Sequence, residues 1–214
     1  MFSAFDVVRV ISLPERRDRR RAMRRELAKA GASAEFFDAF RTQTSGPFAR
    51  RGSYGAFLSH AAVVRDAAWN DQSILILQDD CSFLPGAGDY QLPECDVFYG
   101  SHAADSDEII GAHCMGFSAK AVRLLDKYLS EYLTPDFKPD PKAASEPGYN
   151  PRIRPPIDGA SVWFRRAHPE LRTHFALLTY QRASRSDCTP NRLDGIPIVR
   201  DAVEIGRRMR QLVT

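Results

Sequence analysis

The sequence predicts an α/β fold with a mostly parallel central sheet flanked by helices. Apolar segments of strand length alternate along the chain with segments whose apolar residues recur at helical spacing, which is typical of this class. The 214 residues suffice for one domain with a full core, so we expect a single domain over 1–214. The composition, 43% apolar and 27% charged, excludes a disordered or fibrous protein.

The first half of the chain predicts three strands and two helices. They are a strand over 7–13, a helix over 15–30, a strand over 34–40, a helix over 53–69 and a strand over 73–78. Pro14 is expected in the first turn of the first helix, where a missing N–H is tolerated, and Gly31 is expected to end it.

The second half continues the alternation around an irregular segment. Its predicted elements are strands over 96–100 and 112–117, a helix over 118–133, a helix from Asp158, a strand over 173–180 and a terminal helix from Asp201. Ser118 is the expected N-cap of its helix. Residues 135–156 contain seven of the 14 prolines, which predicts an irregular excursion.

Several features indicate a cytoplasmic protein. Asp6 and Arg9 interrupt the N-terminal apolar stretch, so it lacks the continuous apolar core of a signal peptide. No window approaches the roughly 18 apolar residues of a membrane span. The four cysteines show neither a Cys-x-x-Cys pair nor zinc-ligand spacing, and free thiols fit a reducing compartment.

The segment "SILILQDDCSF" (73–83) contains the main candidate site. Its apolar run ends at Gln78, Asp79 and Asp80, and in open α/β sheets ligands bind beyond the carboxyl ends of the strands. Adjacent carboxylates repel each other unless a cation or water offsets them, and Mg²⁺ and Mn²⁺ prefer such oxygen ligands. The pair therefore suggests a metal–diphosphate site. The alternative is an ordinary surface turn, where Asp is common.

The segment "RRDRRRAMRR" (16–25) places seven arginines on the first helix. A solvated helix face is the default interpretation. Two further hypotheses are peripheral contact with an anionic membrane and contact with a nucleotide diphosphate from the helix start. Nucleic acid is not an expected partner, because no aromatic residues interleave with the run and no recognised motif accompanies it. His60, alone on its helix, is more typical of a satisfied, partly buried histidine than of a ligand.

Seven fragments in colinear order resemble the family 25 glycosyltransferases, which include lipooligosaccharide and collagen sugar transferases. The fragments are "VISLPERRDRRRAM", "FFDAF", "GSYGAFLSH", "LILQDD", "GAHCMGFSAKAVRLL", "PPIDGASVWF" and "TYQRASRSD". The resemblance implies a GT-A nucleotide-sugar fold, a UDP-sugar donor, commonly UDP-galactose, a divalent cation (Mn²⁺ or Mg²⁺) and inversion at the anomeric carbon. It also implies a donor-binding half over 1–100 and an acceptor half over 101–214.

The resemblance assigns roles to individual residues. Asp80 is the first choice for the metal, with support from Asp79 and Asp187. The expected donor-binding residues are Ser12, Leu13, Arg19, Arg20, Ser59, His60, Gln78, Asp79, Gln181, Ser184 and Ser186. Asp158 is the expected catalytic base on the acceptor hydroxyl, and its alternative role is a helix N-cap. Acceptor recognition is expected in 135–156 and in the loop 101–110, which carries Asp105, Asp107 and Glu108.

Two positions depart from the family pattern. Ala56 stands where cysteine is usual, and Gln78 stands where the family has Glu, which removes a negative charge and should weaken cation binding. The expected function is galactose transfer to a bacterial surface glycan such as a lipopolysaccharide or lipooligosaccharide core. One alternative is a catalytically weak or inactive member that binds a sugar nucleotide or a partner. A Mg²⁺-dependent phosphohydrolase is the third hypothesis.

Overall fold

A computed structural model describes residues 1–102 and 111–182. The strands are β1 (Val7–Ser12), β2 (Glu35–Asp38), β3 (Ile74–Gln78), β4 (Cys81–Phe83), β5 (Val97–Tyr99), β6 (Cys114–Phe117), β7 (Thr173–Phe175) and β8 (Thr179–Gln181). The helices are α1 (Arg17–Lys29), α2 (Arg51–Trp69), α3 (Ala119–Tyr132), α4 (Pro141–Ala144) and α5 (Ile157–Ala167). The predicted helix from Asp201 lies outside the described residues.

The main sheet has the strand order β2-β1-β3-β6-β5-β7. β1 pairs in parallel with β2 and β3, β5 pairs in parallel with β7, and β6 runs antiparallel to both of its neighbours. Five of the six strands therefore run in one direction. This confirms the predicted α/β class with a mostly parallel sheet, and the arrangement is consistent with the GT-A-like fold that the resemblance implies.

Strand β3 is buried on both faces, which explains its uninterrupted apolar sequence. Ile74 and Ile76 pack into one core cluster together with residues of α2, α3 and α5. Leu75 and Leu77 point the other way, into a second cluster that includes residues of α1. Burying each such side chain contributes about 1.5–3 kcal/mol, so the helices on both faces hold β3 at the centre of the sheet.

The local signals at the helix ends are confirmed in two of three cases. The Ser118 hydroxyl accepts a hydrogen bond from the Ala121 N–H and caps α3. Gly31 follows α1 with a φ of +64°, a conformation that glycine adopts without steric cost. The predicted start of α1 is wrong, because Pro14 lies in a turn before the helix and α1 begins at Arg17.

Two further differences concern the predicted strand over 173–180 and the strand β4. The predicted strand over 173–180 is two strands, because the chain leaves β7 after Phe175 and pairs again only at β8, in a separate two-stranded sheet with β4. Strand β4 is too short to show a periodicity and was not predicted. The proline-rich segment is mostly irregular, as predicted, and it contains the one-turn helix α4, which the Asp140 carboxylate caps. No helix in the described ranges is both long and apolar enough to cross a membrane.

Candidate active site at the carboxyl edge of the sheet

Polar side chains gather where the parallel strands end. Ser12 ends β1, Gln78 ends β3, and Tyr99 ends β5. Because β6 is antiparallel, its beginning lies at the same edge, and the N–H of Gln78 donates to the carbonyl of His113 just before β6. The tight turn from β3 to β4 holds Asp79 and Asp80 at this edge, where both are buried.

Asp79 is held by two donors from the first strand–helix unit. The Ser12 hydroxyl donates to its Oδ2 at 2.7 Å, and Nη1 of Arg19 donates to its Oδ1 at 2.9 Å. Burial nevertheless raises the pKa of Asp79; the Arg19 charge opposes the rise, and the Asp80 charge adds to it. Both oxygens of Asp79 are thus used inside the protein.

Asp80 has one carboxylate oxygen that is free of such contacts. Its Oδ2 accepts a hydrogen bond from Nε2 of Gln181 at 3.1 Å and lies 3.5 Å from Nη1 of Arg19. Its Oδ1 is buried and accepts no hydrogen bond from any residue in the ranges that the structure describes. A buried carboxylate oxygen without a donor is costly, and a bound cation or ligand N–H or O–H would offset that cost.

These contacts test the predicted metal ligands. Asp80 fits as one ligand of Mn²⁺ or Mg²⁺ through Oδ1, whereas Asp79 already uses both of its oxygens. Over the described ranges, no three His, Cys, Asp or Glu side chains are grouped so that they could hold a metal ion. Asp80 therefore fits a cation whose remaining ligands come from substrate oxygens or water. Asp187 lies outside the described residues, as do Ser184 and Ser186.

Asp158 approaches the same edge from α5. Burial raises the pKa of its carboxyl to about 6, and the negative charge of Asp80 adds to the rise. The alternative role as an N-cap is wrong, because Pro156 occupies that position and Asp158 lies inside the first turn. A carboxylate with a pKa near 6 is well matched to accept a proton near neutral pH.

Arginines surround the acidic pair on two sides. Arg20 donates from Nη2 to the Ser12 carbonyl at 2.8 Å and also pairs with Asp38. Leu13 follows Ser12 at the rim of the site and is half-buried. Sequence reasoning missed Arg182, whose Nη2 donates to the Asp79 carbonyl at 2.5 Å and whose N–H donates to the Asp80 carbonyl at 2.7 Å. Its position next to Gln181 was the available signal.

Ser59 and His60 reach the backbone of their surroundings. The Ser59 hydroxyl donates to the Gly55 carbonyl and accepts from the Phe40 N–H, so it ties the segment that follows β2 to α2. Nδ1 of His60 contacts the Ala56 carbonyl at 2.8 Å, and burial lowers the pKa of His60. Both residues are fully buried. Nε2 of His60 has no hydrogen-bond partner among the described residues, so the interpretation of His60 as a satisfied, partly buried histidine holds only for its Nδ1.

Sequence reasoning also missed a second arginine, Arg165, which lies on α5 together with Asp158. The guanidinium of Arg165 lies over the rings of Tyr99 and Phe175, 4.9 and 5.4 Å from their centroids. Arg165 follows Asp158 by seven residues on α5, a spacing that places the two on one helix face. That spacing was visible in the sequence, but the aromatic partners come from β5 and β7, so only the fold brings them together.

Comparison with known proteins provides a fold-level likeness. No protein-family model and no curated protein matches the chain. One similar solved structure is a glycosyltransferase involved in the glycosylation of the major capsid of PBCV-1, with a TM-score of 0.43 and 12% identity over 80% of this chain and 82% of that one. Another is a nucleoside-diphosphate-sugar pyrophosphorylase from Vibrio cholerae RC9, with a TM-score of 0.36 and 11% identity over 82% and 74%. Likeness at this level carries no argument about activity.

Proposed function

We propose that this chain is a glycosyltransferase that takes its sugar from a nucleotide-sugar donor. The observation that carries the proposal is the geometry of the edge. An arginine-bound acidic pair with one bare, buried carboxylate oxygen lies close to a separate carboxyl, Asp158, whose pKa is about 6. The first group suits a diphosphate and its cation, and the second suits proton removal from an acceptor hydroxyl.

The donor side of the site is built around β1 and the start of α1. Negative charge grows on the leaving diphosphate as the sugar departs, and Arg19 and Arg20 supply positive charge beside Ser12 where we place that group. Asp80 would hold a divalent cation, which when bound would neutralise part of the same charge. Gln78 is left to hydrogen-bond a hydroxyl of the donor ribose or sugar.

Asp158 provides the acceptor side. It removes the proton from the attacking hydroxyl, whose oxygen bonds to the anomeric carbon while the bond to the diphosphate breaks on the opposite face. This sequence of bonds inverts the configuration at that carbon. In finer detail we propose a UDP-hexose donor, galactose first, and a bacterial surface glycan such as a lipopolysaccharide or lipooligosaccharide core as acceptor, in line with the family 25 resemblance and a cytoplasmic location.

One observation favours the alternative of a weakly active or inactive binding module. Gln78 carries no charge, and Asp79 is occupied by Ser12 and Arg19, so Asp80 is the one carboxylate of this turn with an oxygen to spare. A single protein carboxylate binds a divalent cation weakly unless substrate oxygens complete the coordination. The alternative predicts UDP binding without transfer or hydrolysis.

A calorimetric titration of UDP with and without Mn²⁺ tests the proposal, followed by a panel of UDP- and GDP-sugars scored for binding and slow hydrolysis. We expect UDP to bind, and Mn²⁺ to tighten the binding through Asp80. No binding of any nucleotide in either condition would refute a nucleotide-sugar function. Phosphate release from a panel of phosphoesters, in the absence of nucleotide binding, would point to a phosphohydrolase instead.

A further inference from the structure

The arginines of α1 line a groove next to the candidate site. Arg17, Arg20, Arg21 and Arg24, together with Pro14, surround a space of about 340 Å³. Their spacing of i, i+3, i+4 and i+7 places the four side chains along one face of the helix. Arg19 lies on the adjacent face, turned toward Asp79 and Asp80. The groove is therefore separate from the acidic pair but borders it.

Most of the positive charge of this arginine groove is uncompensated. Arg17, Arg21 and Arg24 are exposed, and none forms an ion pair with a carboxylate in the part of the chain that the structure describes. The neighbouring Asp18 pairs with Arg16 instead. Three like charges within two helical turns repel one another, so an anion placed between them would relieve that repulsion.

Two of the guanidinium groups are positioned by a shared aromatic ring. Arg24 and Arg20 lie over Phe36 of β2, with their guanidinium carbons 5.0 and 5.5 Å from the ring centroid. Stacking covers one face of a guanidinium and leaves the N–H edge of the exposed Arg24 for oxygen acceptors, whereas Arg20 uses part of its edge for Ser12 and Asp38. Arg20 is fixed further by its hydrogen bond to the Ser12 carbonyl. Part of the groove is thus preorganised for phosphate, whose oxygens match the guanidinium fork.

We propose that the arginine groove binds the phosphate groups of anionic membrane lipids and holds the carboxyl edge of the sheet against the membrane surface. Arg20 joins the two regions, because it lines the groove and also contacts Ser12 at the end of β1. A lipid held in the groove would place a membrane-bound glycolipid next to Asp158 and the donor. That consequence rests on the proposed function, whereas lipid binding itself does not.

A membrane surface fits the groove better than a soluble anion does, because several arginines of the groove are exposed. Arg17, Arg21, Arg24 and the neighbouring Arg25 all face solvent on this helix. A surface with many phosphates can contact them at once, whereas one soluble phosphate can reach only a pair. Each basic side chain close to an anionic leaflet strengthens binding about fivefold, so loss of three should weaken it about 100-fold.

The test is flotation of the full chain with two kinds of vesicle, pure phosphatidylcholine and phosphatidylcholine mixed with phosphatidylglycerol. The groove variant carries Arg17→Gln, Arg21→Gln and Arg24→Gln, and Arg20 is left intact because it contacts Ser12. A matched control removes three exposed arginines that lie outside α1 and do not line the groove, through Arg50→Gln, Arg123→Gln and Arg152→Gln. Circular dichroism and urea midpoints verify that both variants fold.

We expect the protein to float with the anionic vesicles only, and the groove variant to lose binding about 100-fold. The control variant should lose about tenfold or less, since its charges lie apart from one another. Raising the salt from about 0.1 M to about 1 M should release the protein, because the screening length falls from about 10 Å to 3 Å.

Two results would overturn the inference. One is the absence of binding to anionic vesicles. If inorganic pyrophosphate binds instead, and the groove variant loses that binding, the natural ligand of the groove would be a soluble phosphate compound. The other is an equal loss in the control variant, which would assign the effect to net charge. UDP binding measured on the same samples separates the two proposals: vesicle binding without UDP binding would sustain the groove and refute the nucleotide-sugar function.

Discussion

Replacing Asp158 by asparagine should stabilise the protein at neutral pH. The carboxyl of Asp158 has a pKa of about 6 instead of the ordinary 3.8, because the half-buried side chain is largely withdrawn from water and the charge of Asp80 adds to the rise. One pKa unit corresponds to 1.36 kcal/mol, so keeping this carboxylate charged costs the folded state about 3 kcal/mol. Asparagine keeps the shape and carries no charge, which removes the cost.

The effect must depend on pH in one direction. Below the ordinary pKa of 3.8, Asp158 is protonated in the folded and the unfolded chain and contributes no penalty. As the pH rises from 3.8 to about 6, the unfolded chain releases its proton first, and the folded state loses relative stability. Above about 6 the penalty is complete, so the gain from asparagine should be small at low pH and largest at neutral pH.

Urea unfolding of the unmodified protein and of Asp158→Asn gives the free energy that the substitution adds, and the measurement at about pH 4 and at about pH 7.5 shows how that gain changes with pH. EDTA should be present, so that no cation offsets the charge of Asp80. Asp136→Asn is the matched control, because Asp136 is exposed and the same exchange there reports the effect of replacing an aspartate on the surface. A gain from Asp158→Asn that is the same at both pH values would refute the reasoning that Asp158 is withdrawn from water next to Asp80.

The same substitution separates catalysis from binding. If Asp158 is the base, Asp158→Asn should reduce transfer about 10²–10⁴-fold while UDP affinity stays unchanged, and transfer by the unmodified protein should fall as the pH drops below about 6. Loss of UDP affinity in the variant would instead assign Asp158 to donor binding. A variant that is more stable but inactive is the combination expected of a functional group held in an unfavourable environment.

Three further substitutions address the acidic turn and the core. Asp80→Asn should abolish the enhancement of UDP binding by Mn²⁺ in calorimetry, and an unchanged enhancement would exclude Asp80 as the ligand. Gln78→Glu should tighten UDP binding about tenfold when Mn²⁺ is present, because it adds a carboxylate ligand for the cation. When EDTA has removed the cation, UDP affinity should not change. Leu125→Ala should lower the free energy of unfolding by about 2–5 kcal/mol, because Leu125 is buried in the cluster around α2 and α3. The half-buried neighbour Leu124 should cost less on the same change, and equal costs would contradict that packing.

The long elements were predictable because each has a strong local signal. The apolar run of β3, the amphipathic pattern of α3 with its Ser118 cap, and the end of α1 at Gly31 all follow from neighbouring residues alone. Strand β4 was not predictable in this way, and β8 was predicted only as the end of one longer strand over 173–180. β4 and β8 exist because they pair with each other across about a hundred residues of sequence, and neither has a distinctive pattern.

The candidate site also combines features that the local sequence predicts with features that depend on contacts between distant segments. The strand-end rule located Asp79 and Asp80 at the carboxyl edge, the family resemblance added Ser12, and the structure brings the three together. The rule does not reveal that Arg19 and Ser12 donate hydrogen bonds to the two oxygens of Asp79. It also does not reveal that Oδ1 of Asp80 has no hydrogen-bond partner among the described residues. These contacts depend on the directions of side chains on α1 and β1. The spacing of residues along the sequence therefore could not distinguish a metal-binding carboxylate from one that is hydrogen-bonded inside the protein.

The sequence by itself determined the α/β class, the apolar strand β3 and the acidic turn beyond it, because apolar periodicity and turn chemistry are local properties of the chain. The tertiary structure decided which carboxylate stays open, how Asp158 comes to a pKa of about 6, and how Phe36 positions two arginines of the groove. Each of these depends on burial and on charges or rings supplied by a distant segment. Such contacts form only when the chain has folded, and their energies depend on distances that no local pattern encodes.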